Sequence, residues 1–347
     1  MQTASETLKP LIGMTISQIG EVVSSAGLKP FAAKQIAKWL YQKKVEDIDL
    51  MTDIPKKARA FLGQQYDVGR QKPVASAVSS DGTAKYLFGT AVGYPVETVM
   101  IPDRERATLC VSSQAGCKMN CSFCMTGKQG FHGNLTAAEI INQILSVPES
   151  DALTNIVFMG MGEPLDNLSE VMSVIEIMTS DYGFGWSPKR ITVSSIGKLA
   201  ELHTLIENTK VHIAISLHSP FPEERRTLMP VERAYPMTEI LRLLKQYDFA
   251  HQRRLSFEYI LWHNVNSDFR HADALARLLK GMDCRVNLIR FHSIEGADGL
   301  SPASVQEAEN FRDYLNSKGI TATIRASRGQ DIDAACGMLA GKQYKEK

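Results

Sequence analysis

Residues 117–131 read CKMNCSFCMTGKQGF, and half of the chain's six cysteines fall within it at C-x₃-C-x₂-C spacing. Thiolates placed this closely select soft metal centres. A disulfide belongs to oxidising compartments, and the N-terminus, MQTASETLKPLIGMT, lacks the basic-then-apolar layout of a secretory signal. Structural zinc takes four ligands; no second CxxC or His pair lies nearby, and only His132 offers a fourth. Iron–sulfur ligation by Cys117, Cys121 and Cys124 is the third possibility. It leaves one iron without a protein ligand, open to a substrate or cofactor.

The elements that must position these thiols show in the periodicity. From residue 107 short β-rich runs alternate with amphipathic stretches. The runs are ATLCVSS (107–113), NIVFMG (155–160), RITVSS (190–195), VHIAISLH (211–218), RLSFEYIL (254–261), RVNLIRFH (285–292) and ITATIRAS (320–327). Between them LTAAEIINQIL (135–145) reads as a helix, with a Thr136–Glu139 capping box and an apolar face of Ile140, Ile141, Ile144 and Leu145. Repeated βα units predict an α/β fold, a parallel sheet closed as a barrel or left open and doubly wound. Either fold gathers chemistry at the C-terminal strand ends. Gly162-Glu163, Ser194-Ser195, Ser216 and His218 fall there.

Three regions are expected: a helical unit over 1–71, a β extension over 72–105 turning at Ser80-Asp81-Gly82, and the βα core over 106–347. In the first, Ile16, Ile19, Val22 and Val23, then Ile36, Trp39 and Leu40, recur at helical spacing, with turns at Gly27 and Pro30. Residues 1–72 hold eleven Lys/Arg against seven Asp/Glu, which suits a solvated helical face and an RNA-facing one equally. The 44% hydrophobic and 22% charged composition is that of a soluble globular chain. No run supplies the roughly 18 apolar residues of a membrane helix, so a cytoplasmic protein without membrane contact is expected. The net charge of +1 decides nothing about nucleic acid.

The cysteine spacing after a first barrel strand, with Phe123 before the third cysteine and the GEP segment Gly162-Glu163-Pro164, resembles the radical S-adenosylmethionine (SAM) superfamily. FMGMGEPLDN (158–167), ITVSSIG (191–197), ISLHSP (215–220), VNLIRFH (286–292) and RGQDIDAACGML (328–339) together closely resemble the RNA adenine methyltransferases of the RlmN and Cfr groups. That resemblance covers nearly the whole chain. It implies a partial (β/α) barrel with a helical RNA-facing accessory domain, a [4Fe–4S] cluster on Cys117, Cys121 and Cys124, and two SAM molecules per turnover. SAM would complete the cluster, and one electron would cleave it to a 5′-deoxyadenosyl radical. The SAM-binding positions implied are Gly162, Glu163, Ser194, Ser216, Leu217, His218 and His292. At the last of these most relatives carry asparagine; a neutral imidazole can still donate and accept a hydrogen bond. Met159 and Met161 read as packing around the cofactor.

The resemblance also assigns two cysteines outside the cluster. Cys336 would carry a methyl group from one SAM, and Cys110 would deprotonate and resolve the resulting protein–RNA adduct as a disulfide with Cys336. Glu97 matches a glutamate assigned as proton acceptor, a task Cys110 could also perform. Without the resemblance Cys110 reads as a small core residue, Glu97 as a solvated strand glutamate, and Cys284 stays structural. The implied substrates are an adenosine of 23S rRNA near the peptidyl transferase centre and the adenosine 3′ of the anticodon in some tRNAs. The implied reductant is a flavodoxin or ferredoxin, and the enzyme is expected to be a monomer. The C2 carbon of adenine is electron-poor and cannot attack a sulfonium methyl, so a radical is chemically required. Rival readings are a C8 methyltransferase of the Cfr group conferring antibiotic resistance, an iron–sulfur RNA-binding protein without catalysis, and a glycyl-radical activase.

Overall fold

The computed structural model describes residues 8–251, 253–297, 299–335 and 337–340. Helix α1 (Ile16–Ser25) starts at Thr15, whose amide donates to the Gln18 carboxamide at 2.8 Å, and it buries Ile19, Val22 and Val23. α2 (Ala32–Ala37) runs into a π turn, Lys38–Gln42, that buries Leu40 and Tyr41, and α3 (Lys56–Leu62) follows. This helical segment docks on the βα core through its C-terminal arm. There Gln71 exchanges hydrogen bonds with Asn142, and Arg70 donates to the Leu145 carbonyl at 2.6 Å.

A ten-stranded sheet follows. Strands β1 (Ala75–Val78), β2 (Ala84–Phe88) and β3 (Val96–Asp103) pair antiparallel. β3 pairs antiparallel with β4 (Arg106–Cys110), which starts the parallel part. Then come β5 (Asn155–Phe158), β6 (Ile191–Ser195), β7 (His212–Ser216), β8 (Leu255–Leu261), β9 (Arg285–Arg290) and β10 (Thr321–Ile324). The seven β-rich runs are thus the parallel strands β4 to β10. The crossovers carry α4 (Met125–Lys128) and α5 (Ala137–Ser146), then α6 (Leu168–Thr179), then α7 (Leu199–Asn208). α8 (Pro222–Leu228) and α9 (Met237–Leu244), α10 (Phe269–Leu279) and α11 (Val305–Ser317) complete the set.

Strand order follows chain order from one edge to the other. Because it never reverses, the doubly wound alternative is excluded. Right-handed crossovers that always step the same way put every helix on one face. The other face curls inward: residues of β3, β4, β8 and β9, and those after β10, line one cavity. The result is a partial barrel with an antiparallel extension. The expected capping box opens α5, with the Thr136 hydroxyl accepting from the Glu139 amide. Among the described residues no helix is long and apolar enough to cross a membrane.

One buried polar knot fixes the end of β4. The Gln143 carbonyl on α5 accepts from the Ser112 amide at 2.9 Å and from the Thr98 hydroxyl at 2.5 Å, while its amide donates to the Ser112 carbonyl at 3.0 Å. The Ser112 hydroxyl in turn donates to the Glu97 carbonyl. Gln143→Leu leaves these buried partners without a bond, at about 1–3 kcal/mol per orphaned group. A loss of roughly 3 kcal/mol in denaturant unfolding is expected; a change below about 0.5 kcal/mol would show that the knot does not hold the strand end.

Candidate active site

A cavity of about 340 Å³ opens at the C-terminal mouth of the barrel. Its wall contains Cys110 at the end of β4, Met159 and Gly160 after β5, Glu258 from β8, His292 after β9, and Arg325–Arg328 after β10. Val99, Ile101 and Asp103 from one face of β3 close another side, with Cys124 and Thr126 from the cysteine loop. Ala334, Ala335, Gly337 and Leu339 from the C-terminal segment complete it. Cys336 lies outside the described residues, but its chain neighbours on both sides line the wall that also contains Cys110.

The cysteine loop is shaped by contacts far apart in sequence. The Cys117 amide donates to the Gly130 carbonyl at 2.8 Å, and Gly116, at φ +74°, approaches that carbonyl so closely that a Cβ would sit 1.9 Å from it. The Ser122 amide donates to the Leu228 carbonyl at 3.0 Å and the Met125 amide to the Gly337 carbonyl at 2.8 Å. Burial pushes the Cys117 thiol up to about 12 and the Cys121 thiol well above its usual value, and the neighbouring cysteines push the same way. Three thiolates can coexist in so dry a place only if a cationic centre compensates them, a condition an iron–sulfur cluster meets with its ligands shared among separate irons. Among the described residues no His, Cys, Asp or Glu group is arranged to hold a single metal ion. His132, the zinc alternative's fourth ligand, lies stacked on Tyr94 with ring centroids 3.5 Å apart.

The strand-end motifs pack beneath this loop. Gly162 takes φ +100°, and the Glu163 amide donates to the Gln114 carboxamide at 2.8 Å. The Glu163 carboxylate accepts from the Ser195 hydroxyl (2.6 Å), the Ile196 amide (3.0 Å) and the Leu165 amide (3.0 Å), clamping the turn after β5 to the turn after β6. Burial pushes its pKa up to about 7 against those donors. Ser194 is half-buried on β6, opposite Ala214 of β7, and Ser216 is opposite Glu258 of β8. His218, at φ +59°, accepts from the Ile260 amide through Nδ1, and burial lowers its pKa to about 3, so the ring is neutral with its proton on Nε2. Phe123 packs edge-on against it at 4.8 Å and meets Trp262 at 5.3 Å. His292 is half-buried in the cavity wall and held neutral by burial and Arg290.

Glu97 is 1% exposed. Its carboxylate pairs with the Lys85 ammonium at 3.1 Å and accepts from the Ala340 amide at 2.8 Å. It stands on the same face of β3 as Val99, which is opposite Cys110. Lys85 also donates to the Asp333 carbonyl at 3.1 Å. Further bonds hold the same segment: Asp331 accepts from Ser79 at 2.6 Å, Asp81 accepts from the Gly329 amide at 3.0 Å, and Thr126 donates to the Leu339 carbonyl at 2.7 Å. The chain around position 336 is therefore fastened both to the β extension and to the cysteine loop.

Sequence reasoning missed several of these groups. Lys85 carried no signal beyond an ordinary strand lysine. Arg225, within PEERRTL, reads as a solvated helix charge, yet it is fully buried. It donates to the Ser216 carbonyl at 2.9 Å and the Leu217 carbonyl at 3.1 Å, and is paired with Glu232. Glu258 lies in an apolar run; its carboxylate accepts from Asn287 at 2.7 Å and Ser256 at 3.1 Å.

Residues 111–276 match the model of the radical SAM superfamily, and residues 9–68 match that of the ribosomal RNA large subunit methyltransferase N-terminal domain. The chain is 57% identical over 337 residues to a "Probable dual-specificity RNA methyltransferase RlmN" of Bacteroides fragilis, covering 97% of this chain and 98% of that one. It is 41% identical to the dual-specificity RNA methyltransferase RlmN of a Marinomonas species, covering 95% and 92%. The crystal structure of a radical SAM methyltransferase from Sphaerobacter thermophilus superimposes with a TM-score of 0.90 at 38% identity, covering 96% of this chain and all of that one.

Arg225 offers a test of how the strand-end turn is held. Arg225→Met frees the Ser216 and Leu217 carbonyls and leaves Glu232 buried without its cation. SAM affinity of the cluster-loaded protein should fall tenfold or more, with Arg225→Lys recovering part of it. Unchanged SAM affinity at full iron content would show that the guanidinium does not set this turn.

Proposed function

The chain belongs to the RlmN family of radical SAM RNA methyltransferases, and we propose that it methylates C2 of one adenosine in 23S rRNA and of the adenosine 3′ of the anticodon in a subset of tRNAs. The observation that carries this reading is the shared wall: Cys110, Cys124 and both chain neighbours of Cys336 border one cavity. When bound, the [4Fe–4S] cluster on Cys117, Cys121 and Cys124 and two molecules of SAM per turnover supply a methyl group and the one-electron chemistry that an electron-poor ring carbon needs.

The chain's own residues then do the rest. Of the expected SAM-binding positions His292 borders the cavity, while Gly162, Glu163, Ser194 and the Ser216–His218 turn would hold SAM from the strand ends beneath the cysteine loop. Cys336 carries the one-carbon unit on sulfur and presents it to the base, so that the intermediate is a sulfur–RNA linkage. Glu97 receives the ring proton at its carboxylate. Cys110 attacks the sulfur of Cys336, so that an S–S bond forms as the sulfur–carbon bond breaks; the carbon left on the RNA takes up a proton and becomes the methyl group, and an external dithiol reduces the disulfide. The target base is stacked in folded RNA and must be extruded to reach the cavity; the basic N-terminal helices would hold phosphates meanwhile. We place the enzyme in the cytoplasm as a monomer that draws electrons from a flavodoxin or ferredoxin.

Cys110→Ala expressed in cells should accumulate RNA covalently joined to Cys336, visible as a nuclease-sensitive mass shift that Cys336→Ala abolishes. Clean Cys110→Ala protein with methylation intact would sink the mechanism. Glu97→Gln also removes the partner of buried Lys85, so methyl loading of Cys336 is measured beside resolution, and resolution should slow at least tenfold more than loading does. Ribosomal RNA from a deletion strain should lack 2-methyladenosine; loss of 8-methyladenosine instead would move the enzyme to the Cfr-type reaction.

A further inference from the structure

The opposite mouth of the barrel has a chemistry that the reaction above does not use. Arg106 opens β4, Arg285 opens β9, and Lys189 and Arg254 precede β6 and β8 by two residues and one. Arg325, rooted after β10, reaches the same space. Two adjoining cavities, of about 210 and 380 Å³, share His212, Arg254 and Arg285. By strand rise their openings lie roughly 20 Å from the catalytic mouth, although Arg106 and Arg325 also reach the catalytic cavity from below.

These five cations are poorly compensated. Among the described residues none forms an ion pair, although the chain as a whole has 39 Lys/Arg against 38 Asp/Glu. Two carboxylates are near. Asp283 borders the outer cavity without bridging any of them, and Glu258, above the inner one, accepts from Ser256 and Asn287 and attracts Arg325 alone of the five. Arg254 feels Arg285, Arg106 and Arg325 as repulsive neighbours.

The remaining lining is rich in donors. His212 accepts the Arg254 amide at Nδ1 (2.7 Å). Burial and the surrounding cations hold its pKa near 4, so the neutral ring keeps a proton on Nε2. Thr192 and Thr323 add hydroxyls. Guanidinium forks and hydroxyls converging on a small polar hollow suit the acceptor-only oxygens of phosphate.

We propose that the N-terminal mouth of the barrel is a binding site for a phosphoryl anion of about pyrophosphate size, held by Arg254, Arg285 and His212. The anion is either free or part of an RNA backbone, and the two sources separate experimentally. Sodium pyrophosphate titrated into the full-length, cluster-loaded protein at constant ionic strength should bind saturably. Arg254→Gln/Arg285→Gln should weaken that binding at least tenfold, with Arg254→Lys/Arg285→Lys intermediate and circular dichroism unchanged. If pyrophosphate displaces a tRNA transcript and the Gln pair weakens the transcript in parallel, the phosphate is the RNA's. If transcript affinity is indifferent to both, the ligand is a free anion. Pyrophosphate uptake that is absent from the wild type, or equal in wild type and the Gln pair, would overturn the site.

Discussion

Lys85 and Glu97 form an ion pair almost wholly removed from water, and one wall of the cavity at the strand ends is assembled around it. Removing either partner would leave a bare charge in a dry place, a loss of several kcal/mol in comparable pairs. The pair does more than satisfy itself. Its cation donates to the Asp333 carbonyl and its anion accepts the Ala340 amide, so both ends of the segment around position 336 are tied to the β extension. A short antiparallel ribbon added to one edge of the sheet thereby recruits the far end of the chain. Without that ribbon the parallel strands would still form a barrel, but the cavity would lack the wall made by Ala334, Ala335, Gly337 and Leu339.

The cysteine loop depends on a second buried pair in the same manner. Arg225 and Glu232 hold the Ser216–Leu217 backbone from below, and the next residue, His218, presses its neutral ring on Phe123 of the loop. Trp262 backs both rings. The loop is therefore seated on an aromatic floor whose own position is set by charges. Because the loop has only a short helix of its own, its shape comes from these neighbours and from close backbone approaches such as Gly116 to Gly130.

One sheet thus has two chemically distinct mouths. Parallel strands put all their C-terminal ends on one side, where thiols, small residues and neutral imidazoles meet, and all their starts on the other, where arginines collect. Glu258, Asn287 and Ser256 lie between as a buried polar layer. That layer lies between the cavity bordered by Cys110 and Cys124 and the cationic hollow, with Arg325 reaching both.

Much of this was legible in the chain itself. Seven β-rich runs became seven parallel strands, because buried parallel strands need continuous apolar side chains and show little else. The α5 capping box was readable because it is a local contact four residues long. The C-x₃-C-x₂-C spacing narrowed the choice to a thiolate-bound metal centre, zinc or iron–sulfur, since ligand type and spacing carry that much without a fold. What the sequence left open was every contact whose partners are distant: barrel against doubly wound sheet, the tasks of Lys85 and Arg225, the clamp formed by Glu163, and the arginines converging at one mouth. A lysine or arginine on a short element reads as solvated by default. Only the tertiary structure could reverse that reading, because burial belongs to the surroundings a residue is folded into and not to the residue.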